Sequence, residues 1–462
     1  MAWGLLALAH SGWAEGEGVS VAWVEIWRLE APVPVAQAAA GDVDKDGVPD
    51  VAVLAGGEIA IYAAGREGPR LLGRIERAAG PFTSVALADF DGDGAHDVWA
   101  GTAAPGEVAI YRYSEGMFRP AAGIRYAWDD VVLLLPVDLD GSGRLDLALL
   151  TRGGALRVYR WDGAGPAREE PVEPGGDVRS IVAALVDADG RDEIAVARGF
   201  EHVALFDWVP GEGTGAGELV RAWENYVWGG HALLAVGRFA GGPAAQLLVA
   251  ASRGLVHLYG WEEGSLRPLG EPDSRGFEPA RWTGAADLDL DGKDELVVGT
   301  DAGIEAWDVE PLRRSLAVPA RQAGFAYMME GEGPLLVSGP WGFARYEPRD
   351  AGYVRVVRRG LEVQLKRPAV VTSESVYLSA ADWEALAGIR LRWDAEGRVA
   401  GVRGIRFLVG AGGEWVYDGR RFPLAYPPIA REGVLYLPVQ FAAILGEPVL
   451  WDPFTRTLTF DR

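Results

Sequence analysis

The stretch "GDVDKDGVPDVAV" (41–53) returns along the chain, and its repetition limits the fold more than any other feature. Close copies are "ADFDGDGAHDVWAG" (88–101), "VDLDGSGRLDLALL" (137–150) and "ADLDLDGKDELVVG" (286–299). Weaker relatives at 185–197, 237–250 and 326–339 bring the series to seven. A second marker keeps step with it. After each loop comes a β-branched or aromatic run whose aromatic falls at Tyr62, Tyr111, Tyr159, Phe206, Tyr259, Trp307 and Tyr346, at intervals of 49, 48, 47, 53, 48 and 39 residues. Each repeat holds about four strand-like segments divided by Gly, Pro or Asp turns. Four strands in about 48 residues is the pattern of a propeller blade, whereas a β-solenoid would use shorter coils.

The expected fold class is therefore mainly β: a seven-bladed β-propeller over 15–360, with a small C-terminal α+β domain over 361–462. A ring of blades must close or leave a sheet edge exposed. The strand-like "VSVAWVEIWRLEAP" (19–32) has no repeat of its own and is expected to pair into the seventh blade, near 343–359.

The loops carry the chemistry. Carboxylates crowded at 42, 44, 46 and 50 repel one another unless a cation sits among them. In the spacing D-x-D-x-D-G-x-x-D, side chains at positions 1, 3, 5 and 9 and the carbonyl at 7 can converge on one ion. Calcium, which takes 6–8 oxygens at ~2.3–2.6 Å, suits such a flexible carboxylate loop better than magnesium. The Gly after position 5 permits the sharp turn that brings position 9 back.

The first loop offers Asp42, Asp44, Asp46, Asp50 and the carbonyl of Val48. The second offers Asp89, Asp91, Asp93, Asp97 and the carbonyl of Ala95. In the third, Ser142 replaces the middle carboxylate among Asp138, Asp140 and Asp146. The sixth has Asp287, Asp289, Asp291 and Glu295. The fourth has Leu185 in place of its first ligand and keeps Asp187, Asp189 and Glu193, so weak binding is expected there. The fifth presents Arg238, Ala240, Gly242 and Gln246, which cannot hold a cation, and the Arg238 guanidinium is expected to stand in its place. The seventh retains Glu330 and little else. Four calcium ions in a structural role are expected, and a fifth if the fourth loop fills.

These loops resemble the FG-GAP/VCBS repeats of integrin α-subunit propellers and of many bacterial surface proteins. The resemblance covers about residues 19–360. It implies a seven-bladed propeller that binds protein or glycan partners through one face of the disc.

A net charge of -22 and a pI near 4.7 argue against nucleic acid as a partner, since phosphates attract basic surfaces. The absence of cysteine excludes disulfides, thiol catalysis and thiolate metal sites. "MAWGLLALAHSGWAEGEG" resembles the apolar core of a secretion signal, over 1–14, with a small-x-Ala site ending at Ala14 and no preceding basic residues. No later stretch reaches the ~18–20 apolar residues of a membrane span. A secreted or cell-envelope location is expected.

Residues 361–462 carry 12 basic and 12 acidic side chains, so the whole net charge resides in the first 360. "VYLSAADWEALAGIRLRWD" (376–394) and "LYLPVQFAAILGEPVLWD" (435–452) form an internal pair, each a strand, a short helix and a strand into Trp-Asp. Residues 417–460 resemble the copper amine oxidase N-terminal-like domain of secreted Gram-positive proteins. None of the five histidines (His10, His96, His202, His231, His257) lies here, so no copper is expected. The resemblance implies an envelope or interaction module.

No catalytic constellation stands out. The histidines are scattered across repeats, and His96, beside Asp97, is expected to be a solvated turn residue. Trp161, Trp208, Trp261 and Trp307 recur near one blade position and are expected to pack between blades, while Trp223, Tyr226, Trp228 and Trp282 are expected in connections, as candidates for a binding face. The leading expectation is a non-catalytic recognition, adhesion or scaffolding protein whose partner is an extracellular protein or glycan, cell-wall polymers included. The alternative is an extracellular polysaccharide lyase or hydrolase on a propeller scaffold. An architectural subunit of a surface assembly would instead show a large, flat apolar patch.

Overall fold

The computed structural model describes residues 21–460 apart from short internal stretches, among them 76–79, 126–128, 162–165, 212–216, 228–231, 271–281, 320–324, 329–333, 394–398 and 408–413. The expected leader, His10, Trp228, His231, Gly242 and Glu330 lie outside the described residues. The chain forms two compact units, one spanning Ile26–Glu347 and the other comprising Pro348–Arg462 with the N-terminal residues through Glu25.

The larger unit is propeller-like, built of repeated four-stranded antiparallel sheets. Sheets one to six each use four consecutive strands, the first running Val35–Gly41, Asp50–Ala55, Glu58–Gly65 and Gly68–Ile75. The second strand of each sheet is apolar on both faces: Leu147–Leu149 and Ile194–Val196 are fully buried. Such strands read as continuous apolar runs because sheets cover both sides of them. The cores accordingly lie between sheets. One cluster joins Ala52, Leu54 and Ile61 of the first sheet to Val85 and Val98 of the second, and another joins Leu150 and Val158 of the third to Ile194 and Phe206 of the fourth. Leu336 and Phe343 of the seventh pack against Val35, Val51 and Val53 of the first.

The seventh sheet takes three strands from Phe325–Met328, Leu335–Gly339 and Gly342–Asp350, and its fourth from the start of the chain, Val21–Glu30. That strand lies beside Gly342–Asp350, where the edge argument places it. Trp27 crosses to the first sheet, donating from Nε1 to Gly65 O at 2.7 Å, and meets Phe343 edge-on at 5.5 Å between ring centroids. Gly342, at φ +137°, sits so close to the N-terminal strand that a Cβ there would lie 1.9 Å from Leu29 O. Gly342→Ala is therefore expected to cost ~2–4 kcal/mol, read as a fall in the urea midpoint with unchanged m. An unaltered midpoint would show that this strand contributes little to stability.

Three of the expected face aromatics are placed differently, and the fourth, Trp228, lies outside the described residues. Trp223 and Tyr226 belong to the outer strand Glu218–Tyr226, and Trp282 opens the strand Trp282–Ala286, so none of these three lies in a connection. Trp223 packs edge-on to Tyr259, and Trp282 lies against Gly299. The alternation of strand side chains draws Trp223 and Trp282 into packing, while Tyr226 stays exposed and meets His202 edge-on. Trp208 is buried in the cluster between the third and fourth sheets, and Trp261 and Trp307 pack against neighbouring clusters.

In the smaller unit the strands Val376–Ser379 and Val434–Pro438 pair antiparallel, with Tyr377 opposite Pro438 and Ser379 opposite Tyr436. Each runs into a short helix, Ala380–Ala387 and Phe441–Leu445, and then into a short strand, Arg392–Trp393 and Val449–Asp452. Ser379 caps the first helix by accepting from Asp382 N, and Gly388 ends it in the left-handed region. Trp383, fully buried, fixes the two halves together: its Nε1 donates to Leu437 O at 3.1 Å and its ring meets Phe441 and Phe460 edge-on.

Candidate metal centres

Each acidic loop connects the first and second strands of a sheet, and position nine is the first residue of the second strand: Asp50, Asp97, Asp146, Glu193, Gln246 and Glu295. The strand core therefore buries the position-nine side chain. Asp50 and Glu193 are fully buried, and Asp97, Asp146 and Glu295 nearly so. Each loop is wound around its own carboxylates. Asp42 Oδ2 accepts from Gly47 N at 2.9 Å, Asp138 Oδ2 from Gly143 N at 2.8 Å, and Asp287 Oδ2 from Gly292 N at 2.9 Å. Position nine accepts from the N–H at position two: Val43 N to Asp50 Oδ2 at 2.8 Å, Val186 N to Glu193 Oε2 at 2.9 Å, and Leu288 N to Glu295 Oε2 at 2.7 Å. In the fifth loop Gln246 Oε1 accepts instead from the position-three N–H, Ala240 N, at 3.0 Å, so a neutral amide winds this loop without a charge.

Four groups bring a ligand atom from each member within 4.8 Å of the others and could hold a metal ion: Asp42, Asp44 and Asp50; Asp89, Asp91 and Asp97; Asp187, Asp189 and Glu193; and Asp287, Asp289, Asp291 and Glu295. Asp46 and Asp93 stand outside these groups, their Oδ1 atoms accepting at 2.8 Å from the N–H groups of Val48 and Ala95. Among the described residues the third loop forms no such group. There the Arg160 guanidinium bonds Asp140 and lies 3.5 Å from Asp146 Oδ2.

The residues present fit a divalent cation in the first loop. Asp42 Oδ1 and Asp50 Oδ1 are buried with no hydrogen-bond partner among the described residues, which is costly for a carboxylate. Burial pushes the Asp50 carboxyl up to about 7, with Asp44, Asp42 and Asp46 adding repulsion against the pull of the Val43 N–H. Burial likewise carries Glu193 to about 9 and Glu295 to about 8, with neighbouring loop carboxylates reinforcing it. Asp97 is raised by burial to about 6, with Arg112 opposing. An ion among these oxygens would relieve both repulsion and desolvation.

Two features escape a reading by loop spacing alone. His96 is not a solvated turn residue. Its N–H donates to Asp42 O at 2.7 Å, and its Nδ1 faces the Asp42 N–H at 3.2 Å. Gly41 is required beneath it, since a Cβ there would lie 2.8 Å from the imidazole. Asp192 makes the same connection, Oδ2 to Asp138 N at 2.9 Å, and Asp294 does so to Arg238 N at 2.6 Å. The eighth residue of an even-numbered loop thus ties that loop to the first residue of the loop before it. Arg238, half-exposed, lies 4.0 Å from Asp294 of the sixth loop, so it pairs with the next sheet rather than filling its own loop.

Residues 138–196, from the third loop through the second strand of the fourth sheet, match a family described as an FG-GAP-like repeat. No curated protein matches the chain. The matched repeat, the recurring four-stranded sheets and the mainly β content agree on a propeller-type architecture.

Proposed function

We propose that this chain is a seven-bladed, calcium-stabilised propeller of the FG-GAP type that acts outside the cell as a non-catalytic recognition or scaffolding protein. The observation that carries the reading is the first loop, where three aspartates converge and two buried oxygens lack donors. Calcium is the cation such oxygen-only, flexible loops suit. It would be held there by Asp42, Asp44 and Asp50, supplying charge neutralisation and a fixed loop. The wall between sheets seven and one, and the shared sheet completed by the N-terminal strand, support seven blades closed into a ring. FG-GAP-type propellers commonly recognise macromolecules, and an extracellular protein or glycan, cell-wall polymers included, is the proposed partner. The apolar N-terminal stretch supports export, and the duplicated smaller unit is proposed as the copper amine oxidase N-terminal-like envelope module, without copper.

A polysaccharide and glycoprotein panel tests the reading. The protein is expected to be retained on one class of ligand, to lose retention in chelator, and to release no new reducing or unsaturated ends. Calcium-dependent release of such ends would establish the lyase or hydrolase reading instead. No helix among the described residues is long and apolar enough to cross a membrane.

A further inference from the structure

The residue directly after the recurring strand aromatic carries opposite charges in different repeats. It is Arg112 after Tyr111, Arg160 after Tyr159, Asp207 after Phe206 and Asp308 after Trp307. Strand register brings this position against the acidic loop, and its chemistry divides the loops into two kinds.

In the second and third loops the position delivers a guanidinium to the buried position-nine carboxylate. Arg112 lies 2.6 Å from Asp91 Oδ2 and 3.5 Å from Asp97 Oδ1. Arg160 bonds Asp140, lies 3.5 Å from Asp146 Oδ2, and is held from behind by the Trp208 ring at 4.2 Å. Arg160, stacked on Trp208, is a fixed cation, and Arg112 and Arg160 supply these two loops with a counter-charge from the chain itself.

The fourth loop is the reverse case. Its first ligand is Leu185, exposed and apolar. Glu193 is fully buried, yet its Oε1 has no hydrogen-bond donor among the described residues. Asp207 Oδ1 is buried and without a donor in the same way. Phe206 pairs with Ile194, so the strand register sets Asp207 across from Glu193, just outside the converged group of Asp187, Asp189 and Glu193. Arg191 bonds Asp189 through its guanidinium, and its Nε is buried. Asp308 stands at the matching place in the sixth repeat, acting on Asp289.

We propose that Asp207 supplies the cation ligand that Leu185 lacks, so that the fourth loop binds a divalent ion through Asp187, Asp189, Glu193 and Asp207, while Arg112 and Arg160 replace the ion in the second and third loops. The inference rests on the calcium reading above and refines it: the first, fourth and sixth loops take ions, and the count is three. It reverses the expectation from loop spacing, which ranks the third loop above the fourth.

Calcium calorimetry on chelator-stripped full-length protein, with terbium luminescence as a second probe, tests it. The wild type is expected to fill three sites. Asp207→Asn, which keeps the side-chain shape, is expected to fill two, with fourth-loop affinity down at least about tenfold. Arg160→Met is expected to add a site, and Arg112→Met provides the same test should the first variant fail to fold. An unchanged Asp207→Asn titration beside three wild-type sites would overturn this assignment alone. A fourth wild-type site lost in Asp140→Asn would overturn the role given to Arg160. A wild-type titration with no binding would refute the calcium reading itself.

Discussion

Chelator-stripped protein is expected to unfold about 10 °C below the calcium-loaded protein. An ion that binds only the folded chain, present at ten times its dissociation constant, stabilises by about 1.4 kcal/mol per site. Three such sites give about 4 kcal/mol, and ~2–4 °C per kcal/mol sets the size of the shift. The physical cause is local. Asp50, Glu193 and Glu295 begin inner strands, where the core forces them into burial, and an ion offsets the repulsion that this placement creates. A thermal melt in excess calcium and in chelator measures the difference, with magnesium as the control for ion size. Equal melting temperatures would show that the loops hold themselves without an ion.

The second large effect is in the pH dependence of the calcium-free protein. Burial raises the carboxyls of Asp97, Asp50, Glu295 and Glu193 to about 6, 7, 8 and 9, above their ordinary values. A group whose folded value is raised binds more protons in the folded state, so stability falls as pH rises between the ordinary and the raised value. Calcium-free protein is therefore expected to be most stable near pH 5 and to lose stability steadily toward pH 9. Calcium, which favours the ionised loops, should flatten that slope, and its affinity should rise over the same range as protons cease to compete. Melts at pH 5, 7 and 9 with and without calcium check this. A calcium-free melting temperature that climbs from pH 5 to pH 9 would contradict the burial account.

Much of the architecture was legible in the sequence because the repeat presents two independent periodic markers. Loop spacing and the following aromatic located the strands, and the orphan N-terminal segment identified its partner by exclusion. The loops were legible as local chemistry for the same reason: positions one to nine lie within a single turn between two strands. What spacing could not show is who approaches the loop from elsewhere. Arg160 stands 20 residues beyond Asp140 and Asp192 stands 54 beyond Asp138, and only the strand register and the stacking of sheets bring them together. Arg238 was misplaced on the same ground, since its partner Asp294 belongs to the next sheet. The sequence did contain one usable sign, the alternation of Arg112 and Arg160 with Asp207 and Asp308 after the strand aromatic. Reading that column alongside the loops would have found it. The irregular aromatics deceived in the opposite direction: Trp223 and Trp282 break the repeat in sequence, yet the sheet absorbs them.

The most direct test of the central claim is calorimetric titration of calcium into chelator-stripped, full-length protein, with the same samples melted afterwards. The account predicts three sites and a melting temperature that rises as they fill. Absence of binding heat, with a melt indifferent to calcium, would contradict it.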